Sequence, residues 1–336
     1  MMVNVLVASP FPSKLLDKIR MVSPEIQLEY HPLKRGEFPP LEVMKEAQVL
    51  YTWATLPTPD QAPNLRWIQF HSAGIDHVSD KPIVQSDVLI TTTSGIHAVP
   101  MSEYVMAMIL AWSHRIPRMI KLQEKQEWPS GRWTKFVPDE LRGATLGLIG
   151  YGSIAREIAR LADAFGMKVL ATKRDPRQVI DTGYILPGTG DPEASIPERI
   201  YPSTAIKSVV SESDYVVLCL PLTEDTKYVV NSDVLGSMRP DAVLINVSRG
   251  GLVDQTALIE ALRNDLIAGA SLDVFEEEPL PVDSELWTLE NVIISPHVAG
   301  FTPQYDERAV DLFATNLERY LDGRPLLNLV DRSIGY

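Results

Sequence analysis

The stretch TLGLIGYGSIAREIARLADAFGMKVLATKR, residues 145–174, decides the fold. It opens on an apolar run of strand type, Thr145–Ile149, followed by GYGSIA at residues 150–155. Apolar residues then recur at helical spacing, and Ile154, Ile158, Leu161, Ala162 and Phe165 mark the expected buried face. Gly166 closes the helix, and Lys168–Thr172 reads as a second strand. Strand, glycine turn, helix and strand in register make a βαβ unit. Gly150 permits a tight turn, and Gly152 lets the backbone approach a phosphate. Ala155 is small enough for helix and strand to pack closely. The helix N-terminus, mainly at Ser153 and Ile154, would offer free N–H groups to an anion. The pattern predicts a dinucleotide turn over Gly150, Tyr151, Gly152, Ser153 and Ile154. A plain βα turn with no ligand is the competing reading.

The end of the second strand selects the dinucleotide. An acid there would bond the ribose 2′-hydroxyl of NAD. This chain has Lys173 and Arg174 instead, with Arg177 close by. Cations suit a 2′-phosphate, so NADP is expected, with NAD as the alternative if Asp175 turns in to hold the ribose.

Working outward from the turn, the βαβ rhythm continues. Tyr215–Leu220, Ala242–Asn246, Ile267–Asp273 and Asn291–Ser295 bring the strand candidates of this region to six. Residues 178–201 break the pattern and read as a long surface loop. Towards the N-terminus, Val3–Val7, Gln48–Tyr51, Arg66–Phe70 and Val88–Thr92 suggest a smaller sheet of the same kind. A helix over about 100–113 is apolar nearly all round, as for an element buried on several sides. The stretch 123–140, with Trp128 and Trp133, reads as a surface excursion or one lying across a partner subunit. A last helix falls between Thr302 and Asp322, with Gly323 and Pro325 as its stop. The fold class is therefore α/β, with two doubly wound parallel sheets.

Composition bounds the rest. The chain has 336 residues and a net charge of −13, which argues against nucleic acid or an anionic membrane as the main partner. Its one cysteine, Cys219, rules out an internal disulfide and makes a thiolate metal cage implausible, so no metal is expected. No apolar run approaches the ~20 residues that span a bilayer, and the first ten residues lack a basic leader, so the expected location is the cytoplasm.

Five further segments extend the picture: FHSAGIDHV from Phe70, PLTEDT from Pro221, NVSRGGLVD from Asn246, LDVFEEEPLP from Leu272 and SPHVAG from Ser295. With the glycine turn, they resemble in order and spacing the D-isomer-specific 2-hydroxyacid dehydrogenases, over nearly the whole chain. The resemblance implies that Arg249 binds the substrate carboxylate, that His297 is the proton donor and that Glu278 is its acid partner. The chemistry agrees. Reducing a 2-oxo acid needs a hydride at carbon and a proton at oxygen, and histidine titrates near neutral pH. A carboxylate bonded to an imidazole orients the ring and favours its protonated form. Arginine offers a planar fork to a carboxylate. The resemblance further places Pro221, Thr226, Val247, Ser248, Asp273, Ala299 and Gly300 about the cofactor. It makes Ser72, Ala73 and Gly74 a substrate loop whose backbone N–H groups could cradle a carboxylate as an anion nest.

The same resemblance implies a Rossmann domain over residues 100–300, inserted into a flavodoxin-like substrate domain of residues 1–99 and 301–336. Substrate would lie in the cleft, the activity would be reduction of small 2-oxo acids such as glyoxylate or hydroxypyruvate, and the enzyme would be a homodimer. Cys219 stands where relatives often have histidine. Glu278 argues against a formate-dehydrogenase-like member. A phosphoglycerate-dehydrogenase-like enzyme and a dinucleotide-sensing corepressor scaffold are the alternatives, the first expecting an acid at the strand end, the second no turnover.

Overall fold

The computed structural model describes residues 2–34, 37–53 and 55–332. The chain first builds β1 (Val3–Val7), α1 (Ser13–Arg20), β2 (Ile26–Tyr30), α2 (Leu41–Glu46), β3 (Val49–Thr52), β4 (Trp67–Phe70) and β5 (Leu89–Thr91). These strands form a parallel sheet in the order β2-β1-β3-β4-β5, the flavodoxin-like order. β3 and β4 are buried along their whole length, as expected of parallel strands covered on both faces.

Next come α3 (Ala98–Ser113), α4 (Ile116–Glu124), α5 (Arg132–Lys135), β6 (Thr145–Ile149), α6 (Ser153–Ala164), β7 (Lys168–Lys173) and β8 (Arg199–Pro202). α7 (Ile206–Val210), β9 (Tyr215–Leu218), α8 (Ser232–Leu235), β10 (Val243–Asn246), α9 (Gln255–Arg263), β11 (Gly269–Leu272) and β12 (Val292–Ile294) complete this region. Its seven strands are parallel, in the order β12-β11-β10-β9-β6-β7-β8. The order reverses at β6, which pairs with β7 on one side and β9 on the other. Ligands of doubly wound sheets bind beyond the strand ends at such a switch point.

α10 (Tyr305–Leu321) ends the series and returns to the first sheet. Its Val310, Phe313 and Leu317 pack with Val5, Val7, Tyr51 and Trp67. Two compact units result. One holds the chain up to Ile96, Thr182–Ile185 and the chain from Thr302. The other holds His97–Asp181 and Leu186–Phe301. The expected limits were residues 99 and 300, and the excursion Thr182–Ile185 had no counterpart in the sequence reading.

Three expectations need correcting. β2 was not expected, because only its first residue is fully buried and its outer face is polar. β8 begins inside the stretch read as loop and runs one residue past it. It ends in Pro202 on the sheet edge, where a missing N–H is tolerated. The buried face of α6 is Ala155, Arg156, Glu157, Ile158, Ala159 and Ala162, whereas Phe165 is 43% exposed. α6 is covered by α3 on one side and by Val179, Asp181, Gly190 and Asp191 on another, which buries two charged positions that periodicity assigns to solvent.

Among the described residues, no helix is long and apolar enough to cross a membrane.

Candidate active site

β6 delivers the glycine turn. Gly150 has φ +97°, and a Cβ on it would lie 2.7 Å from the Cys219 carbonyl oxygen, so only glycine fits. Its N–H donates to Thr172 Oγ1 at 2.9 Å, tying the turn to β7. A Cβ on Gly152 would meet nothing within 4 Å. Gly152 also caps α6 with no side-chain hydrogen bond. Open space thus faces the uncapped N-terminus of a 12-residue helix at Ser153 and Ile154, the setting a pyrophosphate requires. The residues present fit a dinucleotide.

Lys173 is the last residue of β7, and Arg174 follows it. Burial, then Arg156 beside it, hold the Lys173 ammonium below the ordinary lysine value, with Asp181 opposing them. Asp175 accepts from the Arg177 backbone N–H at 3.0 Å and from its Nε at 3.2 Å. Its carboxylate serves its own turn, and Arg177 holds it below the usual range.

Beyond β9, Thr226 Oγ1 donates to the Pro221 carbonyl at 2.7 Å and accepts from Thr223 N at 2.8 Å, closing the PLTEDT loop. Burial pushes the Cys219 thiol up to about 12, so it is no ready nucleophile. Beyond β10, Val247 is buried, and Ser248 Oγ donates to the Leu218 carbonyl at 2.7 Å. Arg249 follows, its Nη1 donating to the Ser248 carbonyl at 2.8 Å. Gly250 is obligatory, since a Cβ there would lie 1.9 Å from the Phe275 carbonyl carbon. That close approach seats the Arg249 turn against the segment leading to Glu278.

The segments after β11 and β12 bring Glu278 and His297 together. His297 Nδ1 lies 2.7 Å from Glu278 Oε2, and Glu278 Oε1 accepts from Phe275 N at 3.1 Å. His297 has φ +56°, a left-handed backbone rare outside glycine. Asp273 holds it there. The Asp273 carbonyl accepts from His297 N at 2.8 Å. Its buried carboxylate accepts from Val298 N and Ala299 N, both at 2.9 Å, and from Ser295 Oγ at 2.5 Å. Tyr104 Oη, on α3, joins Ser295 Oγ at 2.5 Å. Gly300 follows, and a Cβ there would crowd His97 Cδ2 at 3.2 Å. Asp273 therefore shapes the histidine loop, a task the sequence did not disclose.

The glycine turn, Lys173, Arg249, Glu278 and His297 all lie at or beyond the C-terminal ends of strands in one sheet, and β10, β11 and β12 are neighbours in it. Ser72, Ala73 and Gly74 follow β4 in the other sheet. Ser72 Oγ donates to the Gly74 carbonyl at 2.8 Å. None of the three has a left-handed backbone, so they form an open bend rather than an alternating nest. His71, just before them, is fixed on three sides. Tyr51 Oη lies 2.6 Å from its Nδ1, Asp306 Oδ1 lies 3.4 Å from its Nε2, and Tyr305 Oη donates to its carbonyl at 2.8 Å. Burial first, then Tyr305 and Asp306, push the Tyr51 hydroxyl well above its ordinary value. The Tyr51 hydroxyl thus keeps its proton and shares a buried hydrogen bond with His71 Nδ1.

Three polar residues about the glycine turn escaped the sequence reading: Arg156, Asp181 and Asp191. Their only signal was a pair of charges, Arg156 and Glu157, set between small apolar residues of α6.

The chain matches known proteins throughout. Residues 106–299 fit the family profile described as D-isomer specific 2-hydroxyacid dehydrogenase, NAD binding domain. A glyoxylate reductase of Thermofilum pendens is 33% identical over 277 residues, covering 82% of this chain and 77% of that protein. One from Korarchaeum cryptofilum is 31% identical over 313 residues, 90% of each. A D-isomer specific 2-hydroxyacid dehydrogenase from Xanthobacter autotrophicus, solved with NADPH and MES, superposes with TM-score 0.82 at 26% identity, covering all of both chains. An NADPH-dependent glyoxylate/hydroxypyruvate reductase from Sinorhizobium meliloti, solved with NADP and sulfate, gives 0.77 at 26% identity, over 99% of this chain and all of that one. The chain belongs to the D-isomer specific 2-hydroxyacid dehydrogenase family, and it is a nicotinamide-dependent oxidoreductase of 2-hydroxy acids.

Proposed function

We propose that this enzyme is an NADPH-preferring reductase of small 2-oxo acids of the glyoxylate and hydroxypyruvate type. The observation that carries the reading is the 2.7 Å pair of Glu278 and His297 beyond the C-terminal ends of β11 and β12, neighbours of the β10 that leads to Arg249. Reduced nicotinamide, when bound, supplies the hydride. Glu278 accepts from Nδ1 and fixes the ring, so that Nε2 presents a proton to the carbonyl oxygen of the substrate. Arg249 binds the substrate carboxylate through its planar fork and offers positive charge to the developing alkoxide. Ser72, Ala73 and Gly74 form a further substrate-contacting bend of the first unit.

The glycine turn, with Tyr151 inside it, and the α6 N-terminus hold the pyrophosphate. Val247, Ser248, Ala299 and Gly300 line the nicotinamide half. Asp273 serves there by positioning the Ala299 backbone. The NADPH preference rests on Lys173 and Arg174 at the ribose end, and on Asp175 being engaged with Arg177. Two of the similar solved structures are described with NADPH or NADP. We also read the enzyme as a homodimer.

Turnover of a 2-oxo acid panel with NADPH and with NADH tests this function. Glyoxylate or hydroxypyruvate should lead the panel, with NADPH ahead of NADH. His297→Ala should still bind cofactor while kcat falls about 10²–10⁴-fold, the usual worth of a positioned acid. Unchanged turnover in that variant would remove His297 as the proton donor.

A further inference from the structure

The stretch expected as a structureless loop is pinned against the cofactor turn. Its two arms in the dinucleotide unit, 178–181 and 186–198, close on each other where Asp181 N donates to the Pro192 carbonyl at 3.0 Å. Arg156, only 1% exposed in α6, holds both arms. Its Nη2 donates to the Val179 carbonyl at 2.5 Å, its Nη1 to the Asp191 carbonyl, and its Nε faces Asp181 Oδ2 at 3.4 Å. Glu157, also buried, accepts from Gly190 N at 2.6 Å and from Arg160 Nη2 at 2.6 Å.

Asp191 is the centre of the lattice. Its carboxylate accepts from Tyr151 Oη at 2.7 Å, Ser195 N at 2.9 Å, Ser195 Oγ at 3.0 Å and Ile196 N at 3.1 Å. Burial alone would raise its pKa. These hydrogen bonds overcome it and hold the carboxyl below the usual range. Tyr151, 2% exposed, is the residue between the two glycines of the turn, and the Arg156 guanidinium lies 4.8 Å over its ring. Buried charges are costly unless fully paired, and apolar packing would stabilise a loop at least as well. What such a lattice adds is fixed position, and its bonds to the rest of the unit reach Tyr151 of the glycine turn and Arg156 and Glu157 in the first turns of α6.

We propose that residues 178–181 and 186–198 are a specificity element for the adenosine end of the dinucleotide, with Asp191 positioning the glycine turn through Tyr151 and Asp181, paired with the buried Arg156, tempering the positive charge about Lys173, which meets the 2′-phosphate. The second half rests on the NADPH reading above, whereas the first does not.

Titration calorimetry of the full chain separates the parts, with NADPH, NADH, adenosine 2′,5′-bisphosphate and adenosine 5′-monophosphate as ligands. Freeing the turn in Asp191→Ala should weaken NADPH and NADH alike by about tenfold, the scale of one lost charged hydrogen bond. kcat at saturating NADPH should stay within about twofold, since the acid–base pair lies beyond other strands. Asp191→Asn, which keeps an acceptor for Tyr151, should recover most of the affinity. It carries the test if the alanine variant does not fold. Unchanged affinities in folded Asp191→Ala, or an Asp191→Asn no better than the alanine, overturn the positioning role.

Asp181→Asn removes an anion near Lys173. The preference for the bisphosphate over the monophosphate should then rise about threefold, the scale of one partly screened charge. A purely structural Asp181 would lower both affinities in parallel, and that result overturns its tempering role. If the unaltered enzyme binds the bisphosphate no better than the monophosphate, the NADPH reading falls, and the Asp191 variants still decide the positioning role.

Discussion

Lys173 concentrates the electrostatics of the proposed cofactor site in one residue. Four charged groups act on it: Arg156, Asp181, Arg174 and Asp175. Burial and Arg156 favour its neutral form, so its proton is lost at a lower pH than that of an ordinary lysine, about 10.4. The sign for binding follows directly. The cationic form attracts the 2′-phosphate, so NADPH affinity should be constant at neutral pH and weaken as pH rises through the lowered value. NADH lacks the phosphate and should show no such loss. Lys173→Arg keeps its charge throughout this range and should abolish the alkaline weakening. Dissociation constants from about pH 7.5 to 10 check this. Parallel curves for both cofactors would mean that Lys173 does not meet the phosphate. Lys173 itself was legible in the sequence because its place at a strand end carries a chemical meaning. Asp191 was not, because its partner Tyr151 is 40 positions away and nothing local marks the pairing.

At the scale of elements, legibility followed burial. β6 reads as a strand because its LGLI run, residues 146–149, is apolar and buried throughout. β2 and β8 are edge strands with polar or proline positions, and their hydrogen-bonded neighbours, not their own residues, make them strands. α10 was legible as a helix from its spacing, while its target came from the structure. Phe313 is fully buried, 4.8 Å from the Tyr51 ring and 5.3 Å from Trp67. It joins α10 to β3 and β4 across more than 240 residues of sequence. Phe313→Ala should therefore destabilise the first unit by about 3–5 kcal/mol, the usual range for an aromatic deletion in a well-packed core. Urea unfolding followed by tryptophan fluorescence reads this through Trp67. A loss under about 1 kcal/mol would mean that the core collapses around the gap. The contact of Glu278 with His297 was legible for a related reason: each residue lies within a contiguous motif. The Asp273 brace was not, because its role depends on a left-handed backbone at His297 that no residue type announces.

At the scale of the whole molecule, the net charge of −13 hides local order. Lys173, Arg174 and Arg177 gather positive charge where an anionic cofactor is proposed, while the surface at large stays acidic. Apolar residues are unevenly placed too. Ile116, Met119, Ile120, Trp128, Trp133 and Val137 are all exposed, with Trp128 at 83% and Trp133 at 76%. α4 and α5 bury none of their own residues. The Arg132 guanidinium stacks 4.3 Å from the Trp133 ring and 5.8 Å from that of Trp128, which shields only part of each. Single exposed apolar residues are ordinary. Six of them within 22 residues are what a subunit interface would use, and a second copy of the chain is the occupant the homodimer reading requires. Two-fold association would set identical stretches against each other and bury the aromatic rings. Sedimentation velocity should give twice the chain mass at micromolar concentration. Ile120→Asp with Trp133→Asp should drive the protein to monomer, since two carboxylates per chain would be buried without partners. Both positions are exposed in the single chain, so the monomeric variant should keep its fold by circular dichroism. A monomeric unaltered enzyme, or a double variant that stays dimeric, would move the interface elsewhere and leave these residues to another partner.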